Sequence, residues 1–223
     1  MNRNTLPIMR RLAILSTIVL VAGCGGGGGG STTSTGATTT GSGGVRLGPA
    51  FGSFASLPGV QNTPPPWNPG NGPALKPRLL AMGLQPLSQE GAVVHIHQHL
   101  DVYVDGNKVT VPASIGISAT QQFISDLHTH DTTGIIHVES ATASSFSLGQ
   151  FFGVWGVPLS ADGIGSLRTG GGKQLKAWVN GKPVSADPTR IVLDAHQEIV
   201  IAYGTAAQMP KDVPASYDFP AGL

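Results

Sequence analysis

The sequence predicts a mainly β domain of α+β class, in which antiparallel hairpins form a sheet or sandwich covered by one short helix. Three observations predict it. Several runs alternate apolar and polar residues at a period of two, turn-forming pairs such as Asp-Gly and Asn-Gly separate them, and one stretch, Leu148 to Trp155, switches to the helical period.

The clearest strand is Val93 to Val104, reading VVHIHQHLDVYV. One alternate set is His95, His97, His99, Asp101 and Tyr103, and the other is Val94, Ile96, Gln98, Leu100, Val102 and Val104. Successive strand side chains point to opposite faces, so one face joins a core and the other displays three imidazoles in a row. Asp105-Gly106-Asn107-Lys108 then reads as a hairpin turn into Val109 to Val111, which Pro112 ends. Ser118 to Ile124 is read as a short helix.

Two further alternating runs flank Asp131 to Gly134 and form a second hairpin. A symmetric loop sets His130 opposite Ile135, His128 opposite His137, and Asp126 opposite Glu139. Directly opposed β-carbons lie about 4.5–5.5 Å apart, within reach of one shared ion. Ser147-Leu148-Gly149-Gln150 matches a capping box, and Leu148, Phe151, Phe152 and Trp155 recur at i, i+3, i+4 and i+7, giving the helix its buried stripe. Gln174 to Val179, Asn180-Gly181 and Lys182 to Val184 form a third hairpin. Arg190 to Leu193 and Glu198 to Tyr203 are strands around a loop with His196 at its tip.

These elements place one compact His-rich β domain at residues 90 to 205, followed by a C-terminal tail at 206 to 223. Upstream, residues 45 to 89 hold nine of the 17 prolines and read as largely irregular. Only Ala74 to Leu87 is apolar enough to dock on a core. Residues 24 to 44 are Cys24 and a Gly/Ser/Thr-rich tether with nothing to bury, so residues 25 to 73 are expected to stay mostly unpacked.

The N-terminus carries Arg3, Arg10 and Arg11 and then an apolar core from Leu12 to Ala22, the length of a signal peptide and too short to span a bilayer. Val21-Ala22-Gly23-Cys24 resembles the lipobox of bacterial lipoproteins. The resemblance implies removal of residues 1 to 23, acylation of Cys24 and a cell-envelope protein whose partner is the lipid bilayer. Gly25, where inner-membrane lipoproteins carry Asp, favours the outer membrane in a host that has one. Cys24 is the only cysteine, so no thiol remains for a disulfide or a metal. Loss of three basic residues leaves ten against 12 acidic ones, a charge of −2, which gives no electrostatic footprint for nucleic acid.

Six of the seven histidines fall between residues 95 and 137, at even spacings within their runs and opposite the apolar alternates. Clustered imidazoles repel once protonated, so a cluster of this size points to a bound metal rather than to a solvated face or a pH-sensitive patch. The expected ligands are His95, His97, His128 and His137, with His99 and His130 as alternates or a second site and Asp126 and Glu139 nearby. Imidazole suits zinc, copper, nickel and iron; the lack of thiolate excludes a blue-copper centre, and copper and zinc are the expected ions.

The runs HIHQHLDVYVDG at 95 to 106 and LHTHDTTGIIHVE at 127 to 139, with Leu148-Gly149-Gln150-Phe151-Phe152, resemble those of uncharacterised secreted or lipoprotein domains of bacteria and archaea. That resemblance implies a domain boundary near residue 90 and no established activity. Three functions remain open from the sequence. The first is an anchored protein that sequesters or transfers copper or zinc. The second is a metalloenzyme of hydrolase or lyase type, with a zinc-activated water and Glu139 or Asp131 as base. The third is a non-catalytic interaction domain.

Overall fold

The computed structural model describes residues 39–40 and 44–223. The signal peptide, Cys24 and all of the tether but Thr39, Thr40 and Gly44 lie outside the described residues. Thr39–Thr40 pairs with Arg46–Leu47 in a two-residue antiparallel ladder. No helix among the described residues is long and apolar enough to cross a membrane.

The architecture is mainly β, with one principal sheet and two short α-helices. Its strands are β1 (Val94–Val104), β2 (Asn107–Val109), β3 (Leu127–His128), β4 (Ile135–Ser140), β5 (Lys173–Val179), β6 (Lys182–Val184) and β7 (Glu198–Thr205), in the order β6-β5-β7-β1-β4-β3 with β2 also paired to β1. Asp105 and Gly106 take φ of 52° and 83°, and Asn180 and Gly181 take 51° and 73°, the paired positive values of a two-residue hairpin turn.

Hairpins alone do not account for the sheet. β7 pairs parallel to β1, with Ile199 beside Leu100 and Ile201 beside Val102. β2 and β4 share one edge of β1, while β7, antiparallel to β5, fills the other. The register puts Leu100, Val102, Ile199, Ile201 and Tyr203 together on the core face, all buried.

That face is covered by helix α2 (Leu148–Trp155), whose Phe151, Phe152 and Trp155 are fully buried. The capping box forms as the sequence predicts: Ser147 Oγ accepts from the Gln150 amide, and the Gln150 side chain accepts from the Ser147 amide at 2.9 Å. Gly156 ends the helix in the left-handed region.

Two expectations are corrected. Ser118 to Ile124 is not a helix; Ile117–Ser118 pairs with Phe123–Ile124 across a turn in which Gln122 has φ 55°. The segment lacks an apolar stripe at helical spacing, and Ile124 is instead held by reciprocal backbone bonds to Leu87 at 2.8 and 2.9 Å. Residues 45 to 73 are largely irregular but packed. Val45, Leu47, Leu57 and Trp67 are buried, and the Trp67 ring meets Trp155 edge-on at 5.7 Å.

Arg78, on the short helix α1 (Leu75–Ala81), fastens this segment. It is fully buried and donates to the carbonyls of Pro58 at 3.1 Å and Gly70 at 2.5 Å, and to Val154 in the last turn of α2 at 2.8 Å. A cation suits the negative end of a helix. Burial pulls the guanidinium down to about 10.

Candidate metal centre

β1, β4 and β3 lie side by side, and residues opposed across a ladder share a face. His95 faces Glu139, His97 faces His137, and His137 in turn faces His128. The symmetric hairpin loop is thus the observed register. Asp131 shapes that loop by accepting the Thr133 amide at 2.9 Å as well as the Thr133 hydroxyl. Gly134 completes it: with φ 95°, a β-carbon there would sit 2.6 Å from the Leu100 carbonyl.

The arrangement forms two groups whose donor atoms lie within 4.8 Å of one another, His128 with His130, His137 and Glu139, and His95 with His97 and Glu139. In the first group His128 Nε2 and His130 Nε2 are 3.2 Å apart, and His137 Nδ1 and Glu139 Oε1 are 3.1 Å apart. Two ligands on one tetrahedral ion, at bonds of about 2.0–2.1 Å, must be about 3.3 Å from each other. The observed separations match that edge. In the second group His95 Nε2 stands 3.4 Å from Glu139 Oε1, again near the same edge.

The protonation pattern favours ligation. His128 is fully buried, and its Nδ1–H donates to the Ser125 carbonyl at 3.0 Å, which leaves the Nε2 lone pair directed at the cluster. A backbone carbonyl holding the far ring nitrogen is the usual support of a metal-bound imidazole. Burial first, and neighbouring imidazoles next, hold the ring of His137 down to about 4 and that of His97 to about 4. For His128 burial is again the main cause and takes the ring to about 3. The three rings are therefore neutral at pH 7, the form that binds a metal.

The structure brings His95, His97, His128 and His137 to one patch and adds His130, which lies beyond the end of β3 and reaches back over it. Glu139 stands at the centre of the patch. It is buried, and its Oε1 is within 3.9 Å of His95, His128 and His137. Asp126 meets Glu139 only through its backbone carbonyl, which accepts the Glu139 amide at 2.9 Å. Its carboxylate belongs to neither group.

His99 does not join them. Its Nε2–H donates to the Thr133 carbonyl at 2.9 Å, its Nδ1 lies 2.7 Å from Glu198 Oε2, and its ring stacks on Tyr217 at 3.8 Å and 7°. With Asp101 and Glu198 it makes a third group of donors, but both ring nitrogens are already engaged. Burial pushes the Glu198 carboxyl up, against the opposing pull of His99.

Three contributors escaped the sequence reading. Ser125 acts through a carbonyl, which no side-chain pattern reveals. Glu90, exposed and 3.4 Å from His130 Nε2, stands just ahead of β1 in no strand pattern. Glu198 reaches His99 only because β7 lies parallel to β1. Compared with known proteins, the chain matches no family model, no curated protein and no solved structure.

Proposed function

We propose that this chain is a lipid-anchored protein of the cell envelope that binds copper or zinc through its histidine patch and sequesters or hands on the ion. One observation carries the metal reading: His128 Nε2, bared by the Ser125 bond on the far nitrogen, lies at ligand-to-ligand distance from His130 Nε2. His137 and Glu139 complete a set of three nitrogens and one oxygen that fits zinc or copper(II). When bound, the ion would supply a Lewis acid at this point; the chain's own residues orient the donors, and burial keeps the His128 and His137 rings neutral.

Binding is favoured over catalysis because the two carboxylates available as bases are committed elsewhere. Asp131 builds its turn, and Glu139 sits among the donors. The anchor is supported by the lipobox-like residues 21 to 24 and by the Gly/Ser/Thr-rich stretch behind them.

The test of metal binding is elemental analysis of protein purified without a polyhistidine tag, followed by calorimetric titration with zinc(II) and copper(II). A tight equivalent is expected; no binding of either ion removes the reading. For the anchor, mass spectrometry of membrane-extracted protein should show an acylated Cys24, and an intact bond between residues 23 and 24 would exclude it.

A further inference from the structure

His128, His130, His137 and Glu139 already fill four coordination positions, yet His95 and His97 stand against the same carboxylate. His97 is buried, and its Nε2 has no hydrogen-bond partner among the described residues. A buried ring nitrogen without a partner costs free energy unless something binds it. The His97 ring meets that of His137 edge-on at 4.5 Å and that of His95 at 5.0 Å, so its neighbours on this face are imidazoles.

We propose that the centre is dinuclear: His95 and His97 hold a second divalent ion, and Glu139 bridges it to the ion held by His128, His130 and His137. The proposal rests on the metal-binding reading and extends it. Glu139 Oε1 is 3.1 Å from His137 Nδ1 on one side and 3.4 Å from His95 Nε2 on the other, both near the edge of a coordination tetrahedron. A carboxylate can serve two ions at once without losing a ring proton, and its negative charge lies between two cations that otherwise repel. The two sites differ in access. His128 is fully buried, whereas His95 is exposed, so the second ion binds at the solvent side and exchanges faster. Repulsion between the ions makes it the weaker of the two, by about tenfold or more.

The experiment uses the full chain without a polyhistidine tag, with zinc(II) and copper(II) alone as probes. Two ions per chain are expected by elemental analysis and calorimetry, and the two-copper form should give an electron paramagnetic resonance spectrum with a half-field signal from coupled spins. Replacing His95→Ala and His97→Ala together should reduce two equivalents to one and abolish the coupling, since both residues lie outside the first group. Should that variant misfold by circular dichroism, exposed His95→Ala alone should weaken the second equivalent at least tenfold. One equivalent in the wild type overturns the second site and leaves the single-ion reading standing, while no binding removes both. Two equivalents with uncoupled copper spectra, or two retained when His95 and His97 are gone, overturn the shared carboxylate.

Discussion

His97 and His99 are two residues apart on one strand, point to one face and are equally buried, yet they have opposite chemistry. His97 has a ring nitrogen with no partner among the described residues, and the His95 and His137 rings lie against it. His99 spends both nitrogens, on Thr133 and Glu198, and is capped by Tyr217 from the C-terminal residues. A histidine is a candidate ligand when the structure leaves it a free lone pair. Spacing within a run does not decide this; the neighbouring strand does, since β4 offers His137 beside His97 while β7 offers Glu198 beside His99.

The sharpest way to break this contrast is to remove ligands. His128→Ala with His137→Ala should lower metal affinity by more than about 100-fold, the most that loss of a supporting partner usually costs. Titration calorimetry measures it, and unchanged affinity would take the hairpin out of the site. Glu198→Ala should do the reverse: stability falls by about 3 kcal/mol, because His99 is left buried without its partner, while metal affinity stays within about threefold. Urea denaturation beside the same titration separates the two regions, and a matching loss of affinity would merge them.

A smaller effect comes from pH. His97, His128 and His137 are held below the ordinary imidazole value of about 6.5 in the folded chain, so the unfolded chain binds protons first as pH falls. Metal-free protein should keep full stability from these groups above about 6.5 and lose it progressively towards pH 4, read as a falling urea midpoint. Bound metal should deepen that dependence, since protons then compete with the ion for the same nitrogens. The smallest effect is expected for Tyr217→Ala, about 1 kcal/mol for a lost stacked pair and no change in metal binding.

Much of the patch was legible because strand period and hairpin symmetry are local rules. The alternation in HIHQH sets His95 and His97 on one face of β1, and the turn at Asp131 to Gly134 sets His128 opposite His137; joining the two sets beside Glu139 takes the pairing of β1 with β4. What local rules cannot reveal is long-range pairing. The split between His97 and His99 depends on Glu198, a hundred residues away in sequence, and the packing of residues 45 to 73 depends on Arg78 finding three carbonyls from separate segments. Proline-rich sequence predicts no packing because its own pattern offers no partner; the partner is the buried C-terminal end of α2.

The parallel pairing of β1 with β7 also sets an order of assembly. Every candidate donor, from His95 to Glu139, lies within residues 94 to 140, on β1, β3 and β4 or, for His130, in the loop between β3 and β4. β7 can join only after the chain from Asp105 to Gln197 has been made and its ends brought together, a long closure that forms late. In a polypeptide synthesised from its N-terminus, the strands that carry the candidate donors therefore exist before the sheet is complete. Their assembly need not wait for the last strand, whereas the engagement of His99 by Glu198 must.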